Sequence, residues 1–546
     1  MKKSIHQEIL RTEVRLKTHS VALGALTDST PLAGLLPPGI DSPDDVIGGR
    51  KTHFEDPEKR ERIRDHFVSI VDRLNGPESA RRHASLLTDP NTFLVITGQQ
   101  AGLLTGPLYT ILKVATAVST ARRMSRDKGV RAVPCFWCAS EDTDFDEVKH
   151  LYLLDPQNHV ACYSAPENPP ADTPVSAVRV SPALWESVER FLKTNLRETE
   201  FRPEILRRLQ DTFDRSKTWS EWMVRILWDL FADEGLLITL PEDGFYQREC
   251  VEIFEREIES PQATANDLQA GAETLKELGF RPQIHKKEDL CAFFLFRDGR
   301  RRRVEWEDGT FKVGGETFSR QDLLEILRSD PAAFGASAAL RPVCQDAAFP
   351  VLAAVLGPGE LGYYAQIGEV YTRHGVLRPI YLPRLSATLF PSRFLDQLKE
   401  AGLDPTDLKS PVEEIAKKVA GRQSNSGVRE ALANLRNQVG MSFDTLGKEG
   451  EALDSTMGAA LERSEKRIEE VIRQVEDLFA RRTAAADKTL RSRLTTISNW
   501  FHPNGEPQER VLNVFQFLNS YGPEFIRELA ELELDTTQGH FLIPLD

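Results

Sequence analysis

Cysteine is scarce in this chain. Six residues are spread from Cys135 to Cys344 in 546 positions, too dispersed for a disulfide scaffold. Long apolar runs are missing as well. No segment reaches the roughly 18 uninterrupted apolar residues of a membrane span. The start, MKKSIHQEIL, returns to polar residues before any apolar core forms, unlike a signal peptide. Nor is there an excess of positive charge. With 69 Lys and Arg against 83 Asp and Glu, the net charge is −14, which argues against a nucleic-acid-binding or membrane-surface role. These absences point to a cytoplasmic protein. Its 40% apolar and 28% charged residues are those of a soluble globular chain, long enough for two to four domains.

The stretch that organises the rest is Phe93 to Lys113, FLVITGQQAGLLTGPLYTILK. Phe93 to Thr97 is a short apolar run that enters Gly98-Gln99-Gln100. Leu104-Thr105-Gly106-Pro107 then leads into the periodic run Tyr109, Ile111, Leu112, Val114, Ala115, Val118. The pattern predicts a buried strand, a glycine-rich turn and a helix with proline in its first turn. Free N–H groups and the positive helix end make such a junction a place for a ligand. It is neither a Walker A loop nor Gly-x-Gly-x-x-Gly. Gln99, Gln100 and Thr105 suit a neutral or anionic polar ligand instead. The plainer alternative is an ordinary strand–helix unit in which Gly98, Gly102 and Gly106 only turn the backbone.

A second buried strand, Ala132 to Ala139, contains Cys135-Phe-Trp-Cys138. Residues three apart in a strand face opposite ways, so this pair reads as core packing and no structural metal is expected. Immediately after it, Glu141, Asp142, Asp144, Asp146 and Glu147 place five carboxylates within seven residues at a strand's carboxyl end. They read either as a solvated loop or as a site for an amino group or a nucleotide-borne metal. His53, His66 and His83, set among charges upstream, read as surface residues.

Pro-rich breaks at Pro37-Pro38 and 165–174, and the pattern changes between them, divide the chain. The expected organisation is α/β: a Rossmann-type core in two parts (1–160 and 340–395), inserted connecting subdomains (161–339), a helical coiled-coil domain (396–509), and a C-terminal segment docking on the core (510–546). Trp219, Trp222, Trp228 and Phe231 read as a helix core stripe. Residues 291–318 read as a β-meander whose Arg300 to Arg303 is either a solvated hairpin or a grip for an anion. Gly357-Pro-Gly-Glu-Leu-Gly-Tyr-Tyr-Ala-Gln366 repeats the strand–glycine turn–helix logic of Gly98, which predicts one shared crevice. Leu432, Leu435, Val439, Phe443 and Leu446, then Leu461, Ile468, Val471, Val475 and Leu478, predict a coiled-coil hairpin. Its second helix is expected to run through Leu490, Leu494 and Ile497 to Phe501.

Four segments together resemble one family: TGQQAGLLTGPLYTILK (97–113), VPCFWCASEDTDFDEVKHLY (133–152), GPGELGYYAQ (357–366) and PQERVLN (507–513). They look like the marker segments of the bacillithiol biosynthesis cysteine-adding enzymes, in the same order from near residue 60 to the C-terminus. The resemblance implies a Rossmann-type core with insertions and a coiled coil that pairs two subunits. It also implies amide formation between cysteine and the glucosamine nitrogen of glucosaminyl malate. One position departs: the family's Glu-Asp-His-Asp-Phe has Thr143 in place of its His, while His150 matches.

On this reading Glu141, Asp142, Asp144 and His150 are the candidate catalytic groups. Gly98, Gln99, Gln100, Thr105, Gly106, Gly357, Gly359, Glu360, Tyr363, Gln366, Arg384 and Ser386 are the candidates for binding substrate or nucleotide. Joining a free carboxyl to an amine calls for carboxyl activation, which brings in ATP with Mg2+ as the expected co-substrate. Two other classes stay open: another carboxylate–amine ligase or nucleotidyl transferase, and a non-catalytic nucleotide-binding coiled-coil scaffold.

Overall fold

The computed structural model describes residues 10–12, 35–36 and 43–546, apart from 286, 288, 424, 425 and 455. The first nine residues and the Pro37-Pro38 break lie outside the described residues. Five strands, β1 (Thr92–Gln99), β2 (Arg131–Cys138), β3 (Leu237–Thr239), β4 (Val351–Leu356) and β5 (Ile380–Pro383), form one sheet in the order β3-β2-β1-β4-β5. All its pairings are parallel. Phe93 to Ile96 and every residue of β4 are buried, as a parallel sheet covered on both faces requires. From β1 the chain winds outward through β2 to β3, and it returns on the other side of β1 for β4 and β5. The reversal leaves a crevice between the carboxyl ends of β1 and β4. Helix α1 (Tyr109–Asp127) follows β1, and helix α2 (Pro358–Gln366) follows β4.

Residues 161–339 are not wholly outside the core, because they supply its edge strand β3, with Cys135 of β2 opposite Leu237. Three residues, Leu-Ile-Thr, carry no sign of which sheet they join. The rest of this region matches expectation. Helix Trp219–Leu230 buries Trp219, Trp222 and Trp228, with Phe231 just beyond it. Strands Leu290–Arg297, Arg300–Glu307, Thr310–Val313 and Glu316–Phe318 form an antiparallel meander, with Phe334–Ala336 on its inner edge. His66 is a correction. It is buried, 2.9 Å from the Thr239 hydroxyl and stacked on Phe245, and burial pushes its pKa down to about 3. Cys135 and Cys138 are both enclosed in the core, where burial raises both thiols.

The C-terminal segment docks through a second sheet. Strand His540–Leu545 lies parallel to Ser386–Pro391 and antiparallel to Leu10–Thr12. The fastening between them is Glu509, which is 2% exposed. It accepts both Arg384 Nη atoms at 2.8 Å, the Ser386 hydroxyl at 2.9 Å and the Ala387 N–H at 2.9 Å. Gln508 bonds both the N–H and the carbonyl of Leu389, completing that strand's edge.

The helical region consists of Val412–Gln423, Ser426–Leu453, Met457–Ala486 and Lys488–Phe501. The expected continuous second helix breaks at Asp487, whose carboxylate caps Lys488–Phe501 at the Leu490 N–H. A capping acid ends the preceding helix despite unbroken apolar spacing, because it satisfies a free N–H of the next one. Leu494, Ile497, Trp500 and Phe501 are buried, with the Phe501 ring 4.6 Å from that of Phe390. Farther out, Leu435, Leu446, Ile468, Val471, Val475 and Leu478 are 39–55% exposed, while Leu432 and Ile472 are buried. The stripe is therefore not packed on the chain's own core.

Glu509→Gln leaves Arg384 buried beside a neutral group and should cost about 3–5 kcal/mol of stability at neutral pH. Burial opposes the Glu509 charge, but Arg384 outweighs it and holds the carboxyl below its usual range. Its contribution is present above the unfolded value of about 4.3 and is lost as pH falls through the folded value. Thermal melts of wild type and variant should therefore differ most near neutral pH, begin to approach each other near the unfolded value of about 4.3, and converge below the lower folded value.

Candidate active site

The crevice holds a cavity of about 460 Å3 between the turn Gly98–Gln100 and the turn Gly357–Glu360. Lys113 ties the two turns together. It stands four residues along α1 from Tyr109, on the same helix face, and is 3% exposed. Its Nζ lies 2.6 Å from Glu360 Oε2 and donates to the Gly98 carbonyl at 2.7 Å and to Gln99 Oε1 at 3.0 Å. Glu360 in turn accepts the Gly357 N–H at 2.7 Å, fixing the start of α2. Burial lowers the Lys113 pKa and Glu360 opposes that shift.

A second cation, Arg341, donates to Tyr363 Oη at 3.1 Å and to Gln345 Oε1 at 3.0 Å, with its guanidinium over the Trp137 ring. Burial works against its charge, but Tyr364, Tyr363 and Glu360 raise its pKa overall. Acidic groups stand on another part of the wall. Gln100 Nε2 donates to Asp142 at 2.7 Å and to Glu147 at 2.9 Å, and Arg301 of the meander comes within 3.8 Å of Asp142. A Cβ on Gly98 would sit 3.1 Å from the Trp137 carbonyl oxygen, whereas one on Gly359 would meet none of the described residues within 4 Å.

An adjoining cavity of about 280 Å3 shares Gln99, Gln100, Tyr109, Glu147 and Arg510 with the first and takes in Thr105, Gly106 and His150. Its floor is an unusual turn in which Leu104, Thr105 and Gly106 all have positive φ (47°, 75° and 71°). A Cβ on Gly102 would lie 2.7 Å from the Gly106 Cα, so this pair of glycines allows the backbone to cross itself. Asn513 holds the turn from the C-terminal segment by donating to the Leu104 carbonyl at 2.8 Å and the Gly106 carbonyl at 2.7 Å.

Of the expected residues, Gly98, Gln99, Gln100, Asp142, Gly357, Gly359, Glu360, Tyr363 and Arg384 line the larger cavity, and Thr105, Gly106 and His150 the smaller. Four do not belong to either. Glu141 turns into the core, accepting from Gln247 at 2.9 Å and Tyr246 at 3.1 Å, and burial raises its pKa to about 8. Asp144 caps the short helix Phe145–Val148 by accepting the Glu147 N–H. Gln366 is buried and braces residues 283 and 284, accepting both N–H groups at 3.0 Å. Ser386 belongs to the Glu509 fastening, 2.8 Å from His540 Nδ1. Arg384 lines the cavity, but Glu509 occupies both its Nη atoms, so it is not a free counter-charge. The acidic run scatters because one strand end and one helix start lie within seven residues.

Lys113, Arg341, Tyr109, Trp137 and Arg510 were not singled out from sequence. Lys113 did leave a signal, as the one charged residue in the first three turns of its helix, between Leu112 and Val114. Arg510 lies within the marker segment PQERVLN, but its place in the crevice left no sign, and Arg341 left none at all, since only folding brings residues so far apart together.

A doubly wound sheet with a polar, two-chambered crevice at its switch point, carrying a helical hairpin, defines a Rossmann-like protein with a coiled-coil appendage. The description "Bacillithiol biosynthesis BshC, N-terminal Rossmann-like domain" matches residues 48–385, and "Bacillithiol biosynthesis BshC, C-terminal coiled-coil domain" matches residues 387–545. The chain belongs to the bacillithiol biosynthesis BshC family. It is similar to proteins named "Putative cysteine ligase BshC" from several bacteria. The one from Salinibacter ruber is 29% identical over 492 residues, 89% of either chain. That from Chlorobaculum tepidum is 29% identical over 503 residues, also 89% of either chain. That from Geobacillus thermodenitrificans is 30% identical over 483 residues, 87% of this chain and 88% of its own.

Three substitutions separate the cavity from its surroundings. Gly98→Val forces branched carbons against Trp137 and the ligand side of the turn, and should abolish turnover. Asp144→Asn keeps an equivalent helix cap and should leave turnover within about twofold of wild type. Glu141→Gln should also retain turnover. Because the folded Glu141 pKa of about 8 lies above its unfolded value, wild-type stability falls as pH rises toward 8. That fall should be smaller in Glu141→Gln, as read by thermal melts from pH 5 to 8.

Proposed function

We propose that this chain joins the carboxyl group of L-cysteine to the amino group of glucosaminyl malate, the amide bond that completes bacillithiol. The observation that carries this reading is the polar crevice at the switch point of a chain that matches the BshC family nearly end to end. A free carboxylate is a poor electrophile, and ATP with Mg2+ would supply its activation. The residues present suit such a group: Arg341 and the open start of α2 beside Gly359 are donors for anionic oxygens, while Lys113, its three donors engaged, holds the two turns that frame them. Asp142 and Glu147 are the carboxylates on the same wall. They suit the cysteine ammonium or a metal carried by the nucleotide, and one of them accepts the proton that the attacking nitrogen loses. Gln100, bonded to both, fixes their spacing.

The working setting is a cytoplasmic one with small-molecule substrates. Among the described residues no helix is long and apolar enough to cross a membrane. Expressed in a strain lacking its own cysteine-adding enzyme, the chain should restore bacillithiol. Accumulated glucosaminyl malate with no thiol would overturn the assignment.

The assembly belongs to the same proposal. The exposed stripe through Ile468, Val471, Val475 and Leu478 is too apolar to face water along a whole helix, and a second copy related by two-fold symmetry covers it. Light scattering should therefore give a dimer at micromolar concentration. The double variant Ile468→Glu, Val475→Glu should be a folded monomer. A monomeric wild type would refute the pairing.

A further inference from the structure

The smaller chamber carries an unmet demand for hydrogen bonds. Thr105 and Thr110 are both fully buried, and neither hydroxyl has a partner among the described residues. His150 Nδ1, on the strand His150–Leu154, has none among them either. All three residues line the same cavity of about 280 Å3, close to the lower end of small-ligand pockets at about 300 Å3. Buried polar atoms without partners are rare because each forfeits its bonds to water. Three in the walls of one chamber mark a place built for an occupant that supplies those bonds.

The kind of occupant follows from the chemistry of these groups. Two hydroxyls and one imidazole nitrogen can each donate or accept, depending on rotor and tautomer. They match an array of hydroxyl groups better than a phosphate or carboxylate, which only accepts. Among the described residues, the one Lys or Arg in the lining is Arg510, exposed at the boundary with the larger cavity and without a carboxylate partner. Gln100 and Glu147 stand on that boundary too. The chamber thus offers neutral hydrogen bonding inside, with one positive and one negative group at its mouth.

We infer that this chamber is the acceptor's sugar subsite, seating the hydroxylated ring of an amino sugar with its amine toward Glu147 and its attached carboxylates against Arg510. The inference rests on the ligase reading above and divides the site under it. The amine donor enters from the Thr105 side, the activated carboxyl lies on the Gly357 side, and the bond forms at the wall of Gln100 and Glu147. The strained turn gains a purpose here, since Asn513 holds Thr105 in a backbone conformation that a β-branched residue rarely adopts.

Calorimetric titration of the full-length protein tests this with glucosaminyl malate and with L-malate alone. Thr105→Val and Thr110→Val preserve shape and remove only a hydroxyl. Each should weaken glucosaminyl malate at least tenfold and leave L-malate unchanged, whereas Arg510→Gln should weaken both. Without ligand, the two valine variants should melt no lower than wild type, because an orphaned hydroxyl has been removed. His150→Ala reads the same chamber from a different element and should also weaken only the glycoside. If the hydroxyl and imidazole variants bind glucosaminyl malate like wild type while wild type makes product, the chamber holds only solvent and the inference falls alone. If wild type neither binds glucosaminyl malate nor forms product, the ligase reading falls and takes the inference with it.

Discussion

The site depends on one buried ammonium. Lys113 reaches from α1 to the turn after β1 and to Glu360 at the start of α2, so a single side chain fixes the distance between the halves of the crevice. A lysine in so enclosed a position loses its water and needs full replacement of those bonds. Glu360, the Gly98 carbonyl and Gln99 provide it. The same contacts aim the Gly98 and Gly357 turns at one volume. Removing any one partner would leave a charge or carbonyl unsatisfied in the wall that a substrate must touch.

A second dependence runs to the far end of the chain. Residues 508–513 reach back to brace what residues 104–106 and 384–389 build. Glu509 neutralises Arg384, Gln508 completes a strand edge, and Asn513 pins the turn that carries Thr105. Arg510, between these braces, faces both chambers. The stretch PQERVLN is therefore part of the site's architecture, although some 400 residues separate it from the first glycine turn. The coiled coil sits between these partners in sequence, as an excursion from a body whose two ends are joined.

The acidic run shows how far residue type alone carries an argument. Five carboxylates in seven positions left a solvated loop and a shared site equally open, and the backbone decides by leaving a strand and starting a helix within them. One is driven into the core, one caps the helix, and Asp142 and Glu147 meet Gln100. Asp146 pairs with Lys149 in solvent. The carboxylates facing the crevice were distinguishable only by direction.

Local sequence determined much of this protein. The apolar runs at Phe93 and Val351, the glycine turns after them and the helices that follow are short-range patterns, so they announced the doubly wound core and its crevice. The three-four spacing after residue 428 announced the hairpin in the same way, and the marker segments announced the family. Tertiary structure decided what periodicity cannot encode. It placed three residues, Leu237 to Thr239, in the core sheet, broke the long helix at Asp487, and gave Arg384 to Glu509 rather than to a ligand. It also turned Glu141 inward and brought Lys113, Arg341 and Arg510 to one cavity. The physical reason is common to all of these: hydrogen bonds and ion pairs between distant residues depend on the direction and depth of each side chain, and these are set only when the elements pack.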